Sequence, residues 1–338
     1  MAPMVFGLEE EVFITEPDKP SLQSLYYLAL LVKKNPRFYY THTHCNFNRG
    51  KDLRLGLMSG VEISTGIHSS PEALVADLAQ RRRDLAEVTK GFIVPLGSLI
   101  DQEAPTNVSG MHIHIGGFSN PQERQQAYDK LIYFLPLLAL LTANAPLAGE
   151  RWFGASYRWA HSFAIGPLRP HDPYYRFQDV IFSQRLGTLE LRLFDPVWDL
   201  ERVRLLLTCI QAILAKAASR PQDIARYNRL RQLVARQGFV KELEPVYQEL
   251  TALVTEVALD RTLFQQPPGV QVYRLWQEQG TLATYGALDE AYRTGRLPAR
   301  RHFPPPAMHF QPWKAVAGMF LYYLPRLPYN LWKVWLEW

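Results

Sequence analysis

Four short stretches of the chain alternate polar and apolar residues with a period of two, the mark of a half-buried strand. They are residues 6–14, 60–65, 111–116 and 187–194. Between and after them the apolar spacing lengthens to that of a helix. Ser70, Pro71 and Glu72 supply a cap and a first-turn proline, so a helix is predicted from there to about Lys90. Further helices are predicted over 121–141, kinked near Pro136, over 200–218, and from about Asp223 to Leu263. Strands mixed with long helices predict an α+β fold. The most apolar run, 131–149, approaches the length of a membrane span. Pro136, Thr142, Asn144 and Pro146 interrupt it, which favours a buried helix.

Alternation also sorts the side chains by face. On the first strand Phe6, Leu8, Val12 and Ile14 share one side with Glu10, and Glu9 and Glu11 take the other. On the second, Val61 and Ile63 oppose Glu62 and Ser64. On the third, Met111, Ile113 and Ile115 alternate with His112 and His114. On the fourth, Leu189, Leu191 and Leu193 alternate with Thr188, Glu190 and Arg192. If the four strands pair in one antiparallel sheet, their polar sides merge. That surface would carry Glu9, Glu11, Glu62, His112, His114, Glu190 and Arg192, with no lysine in any stripe.

Each piece alone is ordinary. An acidic run is usually a solvated face, "HIH" is ambiguous, and "LELR" is common strand sequence. Together they pose an electrostatic problem, because two like charges about 4 Å apart repel by roughly 4 kcal/mol at an effective dielectric of 20. Either the carboxyl pKa values rise or divalent cations sit between them. Oxygen ligands with one imidazole suit Mg²⁺ or Mn²⁺ better than Zn²⁺. Such a site also binds substrate phosphates, and Arg192 would face them as a bidentate donor.

In order along the chain, "GLEEE", "GVEIST" before a helix, "GMHIHIG", "LPLLALLTANAPLAG" with "ASYR", and "GTLELRLFD" resemble the glutamate–cysteine ligase type 2 family. These are YbdK-like carboxylate–amine ligases of the glutamine synthetase-like superfamily. The match covers about residues 5–196. The resemblance implies an antiparallel sheet forming a concave funnel flanked by helices, with ATP and Mg²⁺ (or Mn²⁺) inside. It implies a reaction in which a substrate carboxylate, such as the γ-carboxylate of glutamate, takes the γ-phosphate of ATP. The acyl phosphate is then captured by an amine to form an amide. Carried over by motif position, Glu9, Glu11, Glu62, His112 and Glu190 resemble metal ligands. Arg192 resembles the arginine on the transferring phosphate, and Arg158 one that holds the acid substrate. His114 shares the face as a ligand, a supporting group or a nucleotide contact. The chain departs from the pattern at Leu55, where relatives carry an acid and Asp52 is the nearest one, and at "ERWFG" (150–154) in place of Asp-Thr-Gly.

Composition narrows the remaining choices. The 338 residues, 47% hydrophobic and 20% charged, allow one large domain or two ordinary ones with a sizeable core. A net charge of +5 suits anionic small molecules as well as nucleic acid and favours neither. Cys45 and Cys209 make no disulfide framework. With no signal-like N-terminus, a cytoplasmic location is expected. No Walker-type loop occurs, so a nucleotide would rest on the sheet and its metals. "THTHCN" (41–46), with His42, His44 and Cys45, lacks a fourth ligand at regular spacing and reads as a loop at the surface or site edge. "QRRRD" (80–84) reads as a solvated helix face, and Arg226, Arg229, Arg231 and Arg236 could line a helix facing ATP.

The expected layout is one catalytic domain over 1–300 and a Pro- and aromatic-rich tail over 301–338. The tail either packs on the body or a partner subunit, or lies in a membrane interface. The expected partners are a small-molecule acid and an amine, with no nucleic acid; homo-oligomerisation stays open. Two other readings remain: a non-catalytic assembly protein of the same fold docking through its tail, and a metallohydrolase using His112, His114 and a carboxylate.

Overall fold

The computed structural model describes residues 4–15, 23–46, 60–103, 108–298 and 311–337. Leu55, Asp52 and most of the Pro-rich segment lie outside them. The strands are β1 (Val5–Thr15), β2 (Thr43–Asn46), β3 (Gly60–Ser64), β4 (Phe92–Val94), β5 (Met111–Gly116), β6 (Leu147–Ala148), β7 (Arg151–Trp152), β8 (Val180–Ser183) and β9 (Thr188–Leu191). The helices are α1 (Ser24–Lys34), α2 (Pro36–Tyr39), α3 (Pro71–Val88), α4 (Pro121–Ala139), α5 (Tyr157–His161), α6 (Leu200–Lys216), α7 (Ile224–Gln237), α8 (Glu244–Leu253), α9 (Thr262–Gln265), α10 (Pro268–Thr294) and α11 (Pro312–Glu337).

All four strands expected from alternation form, and they pair antiparallel in one sheet of order β2-β3-β1-β5-β9-β8, with β4 on the far end of β1. The fold is α+β. Its apolar side is covered by helices. Phe6, Leu8, Ile113, Ile115, Leu189 and Leu191 pack with Leu131 and Leu135 of α4 and Leu206 and Ile210 of α6. Val12, Ile14, Val61 and Ile63 pack with Leu25, Leu28 and Leu31 of α1, Leu85 of α3 and Tyr322 of α11. Removing this much apolar surface from water, at roughly 25 cal/mol per Å², is what fixes the register. A slip of one residue would turn every glutamate of the polar stripe into that core.

Ser70 caps α3 as expected, its Oγ accepting from the Ala73 N–H at 3.2 Å. The apolar run after 131 continues α4 through Pro136, and no helix among the described residues is long and apolar enough to cross a membrane. Three expectations are corrected. Residues 223–263 are not one helix: Gly238, at φ 72°, ends α7, and a short 3-10 turn precedes α8, which has a proline in its first turn. "THTHCN" is not a loop, because its last four residues are β2, an edge strand of the sheet. "QRRRD" is not a uniformly solvated face, since Arg82 is buried against Glu10.

Candidate active site

The sheet register assembles the polar stripe. β1 lies between β3 and β5, with Glu11 opposite Glu62 and Glu9 opposite His112. One row further, His114 lies opposite Glu190, and His44 flanks Glu62 from β2. A cavity of about 790 Å³ opens over this face, and all seven stripe residues line it. A smaller cavity of about 250 Å³ adjoins it, sharing Glu9, Glu62 and His114 and edged by Gly66 and Ile67.

Glu9 Oε2 lies 3.5 Å from His112 Nδ1 and 3.5 Å from His114 Nε2, and Glu190 Oε1 lies 3.6 Å from His112 Nδ1. These contacts are too long and misaligned for well-formed hydrogen bonds. Both imidazole nitrogens are buried without such a bond. Glu9, His114 and Glu190 present ligand atoms all within 4.8 Å of one another, an oxygen-rich donor set with one imidazole that fits a hard divalent cation. On its other side the His114 ring is held by Thr188, Nδ1 to Oγ1 at 3.2 Å, the kind of support that orients a ligating histidine. Motif position favoured His112 as the ligand. His112 Nδ1 lies against both Glu9 and Glu190, and His114 belongs to the group whose ligand atoms all lie within 4.8 Å of one another, so both imidazoles face the carboxylates.

The electrostatics follow from this crowding. Burial pushes the Glu9 carboxyl up, but the charges and contacts of His114 and His112 override it and hold Glu9 well below the usual range. Burial lowers His114, and Glu9 and then Glu190 raise it to a net upward shift. Glu190 is raised by burial and brought down by Arg192 and both histidines. Arg192 Nη1 donates to Glu190 Oε1 at 2.5 Å. Desolvation of Arg192 is outweighed by Glu190 and Glu11, so the guanidinium stays charged. Glu11 Oε2 accepts from the Gly110 N–H at 2.8 Å.

Arg158 is not brought to the cavity. It is 1% exposed, and its guanidinium donates to the carbonyls of Arg192, Leu193 and Phe194 and to Asp195. It clamps from behind the stretch that follows β9 and so positions Arg192. Gly110 leaves room for this clamp, since a Cβ at that position would sit 2.2 Å from Arg158 Nη2 and displace it. Sequence reasoning missed Arg176 and Arg185, and Tyr322, Tyr323 and Arg326 of α11, all of which line the cavity. No spacing marked the loop arginines. The aromatic density of the last segment was the available signal for α11.

No protein-family model matches the chain. Over 89 residues, 24% of this chain, it is 33% identical to "Putative glutamate--cysteine ligase 2" of Pseudomonas entomophila. The matched stretch spans 23% of that relative's length. The fold is similar to the crystal structure of a glutamate–cysteine ligase from Francisella tularensis in complex with AMP, with a TM-score of 0.61 at 11% identity over 98% of this chain and 94% of that one. It is also similar to a bifunctional glutathione synthetase from Pasteurella multocida, with a TM-score of 0.53 at 14% identity over 86% of this chain and 49% of that one. The chain is thus similar to the carboxylate–amine ligases, in sequence over one stretch and in fold over nearly its whole length.

Proposed function

We propose that the protein is an ATP- and Mg²⁺-dependent ligase joining a carboxylate to an amine through an acyl phosphate, with the polar face of the sheet as the floor of a funnel-shaped site. The observation that carries this reading is the cluster of Glu9, His114 and Glu190, with ligand atoms within 4.8 Å of one another and Arg192 beside them, in a ligase-like fold. A divalent cation held by these residues, with Glu11 and Glu62 as further carboxylates, would offset phosphate charge and orient the transferring group.

The chain's own side chains do the rest. Arg192 presents a permanently charged fork to the phosphoryl oxygens, where charge builds up as the bond to ADP breaks. Arg158 holds the backbone of Arg192 in place. The sheet fixes every ligand on rigid strands, which keeps the acid and the γ-phosphate in reacting geometry. The walls over the sheet limit the access of water, to which an acyl phosphate would otherwise be lost. The acid and the amine are small molecules whose identity is left to assay.

The test is ADP release in the presence of pooled acids and amines, wild type against Glu190→Ala. Substrate-stimulated release that disappears in the variant is expected. A protein that no pool stimulates, or a variant equal to wild type, overturns the proposal.

A further inference from the structure

α11 has two dissimilar sides. Its inner side is buried: Ala315, Tyr322 and Arg326 are at most 4% exposed, and Gly318 sits so close to α1 that a Cβ would lie 2.5 Å from the Tyr26 nitrogen. Arg326 donates to the Thr43 hydroxyl at 2.6 Å and to the Thr43 carbonyl at 2.7 Å, tying the helix to β2. The outer side is open, and every exposed residue between 312 and 332 is apolar. Trp313, Val316, Phe320, Leu324, Leu327 and Leu331 are each at least 51% exposed.

What covers this face follows from its width and charge. At 100° per residue the exposed arc spans roughly 240° of the helix. A two-stranded helical seam uses only a narrow stripe, so a second α11 would leave much of the arc wet. A lipid surface would not. The aromatic residues fit that reading, because Trp313, Phe320 and Trp332 lie along the exposed arc among aliphatic residues, as on the apolar face of a helix lying at a headgroup boundary. Over α11 the charged residues are Lys314, Arg326, Lys333 and Glu337, three of them basic and Arg326 buried, within a chain of net charge +5. Lys33 and Arg37 are exposed on the adjoining α1 and α2.

We propose that α11 is an in-plane docking helix that seats the protein on an anionic bilayer surface. The packed inner side keeps the helix on the body, so the outer arc enters the headgroup region without crossing the bilayer. Tyr322, Tyr323 and Arg326 also line the main cavity, so the docked protein holds its cavity close to the lipid. The inference does not depend on the ligase reading.

Flotation of the full chain with vesicles of phosphatidylcholine alone, and with added phosphatidylglycerol, tests it. The wild type should float with the anionic vesicles and lose part of that binding in high salt. Phe320→Glu and, separately, Leu324→Glu should each reduce binding about tenfold or more, with unchanged circular dichroism. A wild type that stays with the soluble fraction, or variants that float equally well, overturns the proposal. So does a dimer in light scattering that Phe320→Glu converts to monomer with no vesicle binding, which would make the arc a subunit contact.

Discussion

Glu10 and Arg82 form a buried ion pair beneath the sheet. Arg82 Nε donates to Glu10 Oε2 at 3.1 Å and Nη2 to Oε1 at 2.5 Å. Tyr292 adds a hydrogen bond to Oε2 at 2.9 Å, and Arg82 also reaches the carbonyls of Val197 and Trp198. Burial lowers the Arg82 pKa, and Glu10 more than restores it. The run of three glutamates therefore divides: Glu9 and Glu11 face the cavity, and Glu10 locks α3 and α10 to β1.

The first prediction follows from that division. Glu10→Gln leaves a buried guanidinium without its counter-charge, which costs about 3 kcal/mol. Urea unfolding should show that loss, while the folded fraction keeps its affinity for divalent cations. Unchanged stability together with lost metal binding would place Glu10 on the wrong side of the strand.

Much of this arrangement was legible from alternation, because a half-buried strand imposes a period of two that no other element shares. Glu9, Glu11, Glu62, His112, His114, Glu190 and Arg192 could be assigned to one face before any pairing was known, and the register brings them together. What stayed hidden depends on tertiary placement. Arg82 and Arg83 are neighbours in one charge run, yet one is buried and the other exposed, because helix rotation relative to the sheet is not written in composition. Arg158 looked like a substrate contact from its motif, and only packing shows it gripping the backbone behind Arg192. Arg326, some 280 residues from Thr43, reaches the cavity through a contact that no local pattern encodes.

A second prediction concerns the cation. Glu9→Gln and Glu190→Gln each remove a negative charge from the proposed cation site. Each should weaken Mn²⁺ binding, followed by paramagnetic resonance or calorimetry, by at least the 10–100-fold typical of changes just outside a metal's ligand shell. Thr188→Val removes only the support of the His114 ring and should produce a smaller loss. Binding that survives both carboxylate changes would place the cation elsewhere.

Asp77 supplies a pH prediction away from the cavity floor. Its Oδ2 meets His68 Nε2 at 2.9 Å and accepts from the Gly66 N–H at 2.7 Å, pinning the turn that edges the smaller cavity. Burial raises its carboxyl, and His68 and Gly66 bring it below the ordinary value. A lowered folded-state pKa gives stability that is present above the unfolded value, about 3.9, and is lost as pH falls through the folded value. Asp77→Asn should therefore be less stable than wild type at neutral pH, and the gap should close in strong acid. Denaturant midpoints taken across that range would show it. A gap independent of pH would assign the effect to packing.

The last prediction separates charge from geometry at Arg192. Its guanidinium is held by Glu190, through the 2.5 Å contact, and its backbone carbonyl by Arg158. If the fork stabilises phosphoryl charge, Arg192→Ala should lower substrate-stimulated ADP release by about 10²–10³-fold, the usual cost of one preorganised donor. Arg192→Lys keeps the charge without the planar fork and should fall between the two. Cation binding should change far less than the rate, because Arg192 offers no ligand atom. Nucleotide affinity and turnover measured side by side would decide. A variant that loses both in proportion would make Arg192 a binding residue, and one that keeps full turnover would remove it from the chemistry.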